Sequence, residues 1–177
     1  MNLFVLDEDP VVAAISQCDA HVVKMILETS QMLSTAHRIL DGNMIKSPRK
    51  HWVLPDTREE ILYRCTHFNH PCNVWIRESK QNYLWAFRHL EALSQEFEHR
   101  FKKTHKSWEK LSEVLSNTPN SISDSGMTPF RLAMGAEPQC IDPRDPVGSY
   151  RKFYATKQKR FKMRWTDREI PEWFEIQ

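Results

Sequence analysis

Glycine is scarce in this chain, four in 177 residues, and no long run of alternating β-branched residues occurs. That pair of absences argues against a sandwich or barrel, which needs many short strands and glycine-rich turns, and favours helices. No stretch approaches the roughly 18 consecutive apolar residues of a membrane-spanning helix. The opening MNLFVLDEDP is acidic and has no apolar signal-peptide core, so a cytoplasmic location is expected. The four cysteines, Cys18, Cys65, Cys72 and Cys140, are scattered without the framework of a small secreted protein, and free thiols are expected. Net charge is only +2, so total charge says nothing about a polyanionic partner and the local distribution must carry that argument.

Apolar residues make up 40% and charged residues 27%, enough to bury one core in a chain of this length. The expected fold is mainly α: one compact helical domain over residues 1–177 with a short N-terminal extended segment and a long irregular loop. Leu3-Phe4-Val5-Leu6 reads as a brief strand or a buried arm. Asp9-Pro10 supplies an N-cap and a first-turn proline, and helix is expected from there to about Leu40, with a possible interruption where Asp19 caps a second segment. Val22, Val23, Ile26 and Leu33 are its expected core positions. Residues 47–55 read as a basic, aromatic loop carrying Arg49, Lys50, His51 and Trp52. Thr57-Arg-Glu-Glu60 reads as a capping box opening a short helix through Tyr63 and Cys65. Ile76, Tyr83, Phe87, Leu90, Phe97 and Phe101 recur at spacings of three, four or seven, predicting one long helix from about Val74 to Phe101. A short helix over 107–115 and a last helix over about 146–159 flank a loop holding five of the ten prolines. A loop of that length in a compact domain points to a function.

Three groups of residues carry chemistry. His21, Lys24, Glu28, Gln31 and Thr35 follow one another at three, four, three and four, which puts an imidazole, an amine and a carboxylate on one helix face. The turn His67-Phe-Asn-His70-Pro-Cys72 leads into Arg77, Asn82 and Tyr83, a pattern suited either to plain helix entry or to an anion at a helix N-terminus with Arg77 adding donors. Tyr150 to Trp165 holds seven basic residues, five aromatics and no acid, the composition either of a phosphate-tracking surface or of an amphipathic helix with its aromatics packed inward and its lysines in water; on the first reading Arg151, Lys152, Lys159, Arg160, Lys162 and Trp165 are the expected contacts.

His21 followed seven residues later by Glu28 on an N-terminal helix, a second helix entered through His70, and the basic, aromatic C-terminal segment together resemble the small phage-type pyrimidine-dimer DNA glycosylases with AP-lyase activity. The resemblance covers about half the chain; the loop over 118–146 and the cysteine-bearing turn have no counterpart in it. It implies a compact helical domain that uses no metal or other cofactor, acts on DNA, and attacks C1′ of a damaged nucleotide with an N-terminal α-amine. The cytoplasm, that of the host if the protein is viral, is the implied location. An α-amine has a pKa near 8 and is partly uncharged at neutral pH, whereas a solvated lysine is not. Glu28 takes the place of the acid/base carboxylate. Asn2 is too large for efficient removal of the initiator methionine, so the amine sits on Met1, and Lys24 on the same face is the alternative nucleophile. His70, Arg77 and Asn82 are assigned to nucleic acid on this reading. Two rivals use the same residues: a phage factor that captures a nucleotide or a host protein without catalysis, and a zinc-dependent nucleotide-modifying enzyme drawing ligands from Cys18, His21, His67, His70 and Cys72.

Overall fold

The computed structural model describes residues 1–176 and is mainly helical. Its helices are α1 (Pro10–Ile15), α2 (Asp19–Asp41), α3 (Arg58–Ile61), α4 (Pro71–Ile76), α5 (Lys80–Phe101), α6 (Lys106–Leu115) and α7 (Pro146–Ala155), the last running into a 3₁₀ turn over Thr156–Lys159. A two-stranded antiparallel hairpin, β1 (Asn43–Ile45) and β2 (His51–Val53), pairs Met44 with Trp52. No helix among the described residues is long and apolar enough to cross a membrane.

α2 is the central element, buried on most of its circumference and packed against α5, α6 and α4. Val22, Met25, Ile26 and Leu33 enter the core as hydrophobic periodicity requires, but Val23 and Leu27 face outward. Cys18, not Asp19, is the N-cap residue, and Asp19 occupies the first helical position. The expected long helix beginning near Val74 is two helices: α4 stops at Ile76, and Ser79 caps α5 by accepting from the Asn82 N–H at 3.1 Å. Thr57 makes no capping hydrogen bond, and α3 ends at Ile61 well short of Cys65. Asp56 does that work instead, accepting from the Arg58 N–H at 3.0 Å. Residues 47–55 are no plain loop, since they include β2.

The N-terminal apolar run is an extended arm buried in the core and not a strand: Leu3, Phe4, Val5 and Leu6 are each almost wholly covered. Asn2 starts it with a turn, its Oδ1 accepting from the Leu3 and Phe4 N–H groups at 2.8 and 2.9 Å, with Phe4 at φ 50°. The Asn2 amide then donates to the Ala133 carbonyl at 2.8 Å, so the long loop is the seat of the arm. That loop is pinned along its length: Thr128 to Asn82 and Trp75, Arg131 O to the Tyr150 hydroxyl, and the Asn120 and Ser121 N–H groups to Asp41.

The basic C-terminal segment is strapped down by a buried charge cluster. Glu96 pairs with Arg100 at 2.9 Å and Arg168 at 2.6 Å, Arg100 reaches Asp19 at 3.1 Å, and the Trp165 indole donates to the Ser16 carbonyl at 3.0 Å. α7, which delivers that segment, depends on its cap: Asp145 accepts from the Gly148 N–H at 2.8 Å. A Cβ on Gly148 would meet the Asp145 carboxylate at 1.9 Å. Gly148→Ala is therefore expected to open the cap and lower stability by about 1 kcal/mol despite the better helix propensity of alanine, measurable by urea denaturation.

Candidate functional site

The α2 stripe and the N-terminal arm meet in a cleft. Glu28 Oε2 lies 3.4 Å from the Met1 nitrogen and accepts from the Asn2 N–H at 3.1 Å, while Oε1 lies 3.3 Å from Lys24 Nζ. The Met1 side chain is buried, with its sulfur accepting from the Asn73 amide at 3.3 Å, so the chain start is held against the carboxylate and does not wave in solvent. The cleft has a volume of about 260 Å³, and its walls include His21, Lys24, Phe153, Lys157, Arg160 and Phe161. Glu28 is the only acid lining it among the described residues.

His21, Lys24 and Glu28 thus share one cleft, but their face is not uniformly exposed. Lys24 is 63% exposed and Glu28 14%. His21 is buried, wedged between the rings of Phe4 at 4.8 Å and Phe161 at 5.4 Å, and its Nδ1 pairs with the Tyr154 hydroxyl at 2.7 Å. That hydroxyl also accepts from the Cys18 N–H at 2.9 Å. Burial first, then the charges of Lys24 and Lys157, lower the His21 pKa to about 4, so at neutral pH it is an uncharged wall of the cleft. Gln31 lies further along the stripe, and Thr35 is covered by Thr66, to which it is hydrogen-bonded.

Lys157 was legible only as one more lysine in the basic run. It is buried in the cleft wall, with Nζ 3.5 Å from the centroid of the Phe153 ring. Burial, then the neighbouring Arg160, pulls its pKa below the ordinary lysine range. Beside the cleft, Lys159, Arg160 and Lys162 border a second hollow of about 540 Å³ floored by Trp165 and Phe174, which shares Arg160 and Phe161 with the first. Lys152 is exposed on α7.

Several residues assigned to nucleic acid from the sequence do other work. Asn82 is wholly buried, its amide donating to Trp75 O and Thr128 Oγ1, each at 2.7 Å, which fastens the long loop. Trp165 is largely buried, its indole N–H donating to the Ser16 carbonyl and its ring packed against Phe174, and it reaches the surface only where it lines the second hollow. Arg151 donates to the Leu6 carbonyl at 2.8 Å and pairs with Asp7 at 3.1 Å, anchoring the N-terminal arm. Arg77 ends α4 and is half-buried near Cys65, Arg131 and Glu78, so it cannot serve an anion at the N-terminus of that helix. That end is capped by His70 itself, whose Nδ1 accepts from the Cys72 N–H at 3.3 Å. His70 does not line the cleft, but it feels the groups there: burial, then the Met1 amine, then His67 lower its pKa, and Glu28 opposes them.

The zinc rival finds no ligand set, because among the described residues no three His, Cys, Asp or Glu side chains gather where they can hold an ion. Cys18 and His21 are adjacent at 3.5 Å, but Cys72 lies against the Tyr150 hydroxyl. All four cysteines are free thiols. A separate hollow of about 480 Å³ is lined by His37, Asp56, Arg58, Glu113 and Asn117, where Arg58 is already paired with Asp56 and Asp41. No protein-family model matches this chain, and comparison with curated proteins and with solved structures returned no match either.

Proposed function

We propose that this protein is a DNA base-excision enzyme, a glycosylase with AP-lyase activity toward damaged or modified pyrimidines, in which the Met1 amine is the nucleophile and Glu28 its acid/base partner. The observation that carries the reading is the Met1 nitrogen held 3.4 Å from Glu28, the one carboxylate lining the cleft among the described residues, with Lys157 and Arg160 on the walls to meet phosphate. Asn2 adds support, since its own backbone N–H faces the same oxygen at 3.1 Å.

In its uncharged form the amine attacks C1′ of the deoxyribose while the glycosidic C–N bond breaks, and the base leaves with the bonding electrons and takes up a proton. The sugar ring opens, the amine nitrogen loses a proton, and C1′ becomes an imine. Glu28 stabilises positive charge at C1′ and then removes a C2′ proton, which expels the 3′ phosphate oxygen and cleaves the strand. Water hydrolyses the imine and frees the amine. Lys24, solvated and ion-paired, is arranged as a charge beside the carboxylate and not as the attacking group.

Borohydride reduces an imine to a stable amine, so the unmodified chain is expected to become covalently joined to a duplex containing an abasic site. One extra residue ahead of Met1 is expected to abolish that adduct, while Lys24→Ala leaves it. An unmodified chain that traps no DNA sinks the enzymatic reading and leaves a non-catalytic nucleotide- or protein-binding factor.

A further inference from the structure

The basic, aromatic stretch after α2, which the chemistry at Glu28 does not use, folds into the β1–β2 hairpin. Residues 42–55 contain Lys46, Arg49 and Lys50 and no carboxylate, and none of these cations has an acidic partner among the described residues. Residues 43–50 are exposed throughout, Met44 and Ile45 included. The root of the hairpin, in contrast, is fixed. Arg38, buried at the end of α2, donates to the Trp52 carbonyl at 3.2 Å and pairs with Glu59, which in turn accepts from the Leu54 N–H at 2.8 Å. Gly42 makes the junction, where a Cβ would meet the Arg38 carbonyl at 2.4 Å. Trp52 packs edge-on against Phe68 at 5.0 Å, and Lys50 Nζ sits 5.2 and 5.0 Å from the two ring centroids.

α2 orders this arm relative to the cleft. At the level of His21 the helix meets Phe161, one of the cleft walls shared with Lys157 and Arg160; at Glu28 it meets Met1; at Thr35 it meets Thr66; at Arg38 it meets Trp52. Seventeen residues of helix span about 25 Å, roughly seven base pairs of duplex. Along the axis of α2 the basic tail therefore lies toward one end and the hairpin toward the other, with the carboxylate between them.

We propose that the hairpin is a second DNA-backbone arm, gripping duplex on the flank of the reacting nucleotide opposite to the one held by Lys159, Arg160 and Lys162. It rests on the reading of the cleft as a DNA site. A rigid root with an exposed, uncompensated cationic tip is the arrangement that phosphate binding needs, since cations already paired within the protein release no counterions when they meet DNA.

The test is a hydroxyl-radical footprint on a duplex with a central tetrahydrofuran abasic analogue, with salt titrations and borohydride trapping run in parallel. Lys46→Ala/Arg49→Ala/Lys50→Ala is expected to lose protection on one flank only, and Lys159→Ala/Arg160→Ala/Lys162→Ala on the other. For the hairpin variant the slope of log affinity against log salt is expected to flatten by roughly 2.7, about 0.9 for each of three phosphate contacts. Trapping at saturating abasic DNA is expected to persist. An unchanged footprint and slope with trapping intact overturn the arm alone, as does a variant whose only loss is binding of single-stranded RNA. Flattening of the slope without any adduct in the unmodified chain keeps the arm and removes the enzyme. A wild-type chain that binds no duplex overturns both.

Discussion

Glu28→Gln is expected to lower strand cleavage at abasic sites by about two to four orders of magnitude while leaving the fold intact. The carboxylate is the only acid lining the cleft among the described residues, and His21, with its pKa lowered to about 4, is too weakly basic near neutrality to replace it. Glutamine keeps the shape and can still accept from the Asn2 N–H, so the arm stays seated. The pair with the exposed Lys24 is of the kind that contributes about 0–1 kcal/mol, and the Met1 nitrogen keeps an amide oxygen to donate to. DNA affinity is expected to hold or rise, because a negative charge leaves a phosphate-binding cleft. Cleavage and anisotropy measured on the same abasic duplex separate the two effects. Cleavage within threefold of the unmodified chain would remove Glu28 from the chemistry.

The second large effect is loss of stability in mild acid. His21 and His37 are held at about 4 and His89 at about 3, against an ordinary 6.5, with burial the leading cause in each. Burial of the uncharged form means that the unfolded chain binds protons the folded chain refuses. Stability from these residues is complete above pH 6.5 and is lost as pH falls through 6.5 toward 4, with His89 continuing to about 3. Each shift is worth a few kcal/mol, about 1.4 per pH unit, a large fraction of the stability of an ordinary domain. His37 holds Tyr83 at 2.9 Å and His89 holds Gln17 at 3.0 Å, so protonation strikes the packing of α5 against α2 and against the turn that leads into it. Thermal melting is expected to fall steeply between pH 6.5 and 4.5. A Tm unchanged over that range would contradict the buried, uncharged imidazoles.

The helical class and the starts of α1 and α7 were legible, the first because Asp9-Pro10 states its cap locally. The convergence of His21, Lys24 and Glu28 was legible for a similar reason, since helical spacing alone fixes a shared face. What the sequence hid depends on partners far along the chain. Asn82, Arg151 and Trp165 are chemically the same as surface contacts, and only Thr128, Leu6 and Ser16 turn them into internal struts, Asn82 and Trp165 buried and Arg151 partly so. Lys157 and Lys159 sit two apart in one basic run, yet the turn after α7 buries the first and exposes the second. The hairpin escaped because its strands are three residues each and β1 is exposed on both faces, so no alternation marks it. The break at Ser79 was hidden because apolar spacing continues across it.

The proposed chemistry stands on the amine at Met1, held by Glu28, attacking the sugar. Reduction of the complex with abasic DNA, followed by proteolysis and mass mapping of the modified peptide, reads the attacking nitrogen directly. The expected result is a single adduct on the Met1 nitrogen, lost when a residue is added ahead of it. An adduct on Lys24 or Lys157, or none at all, would contradict the assignment.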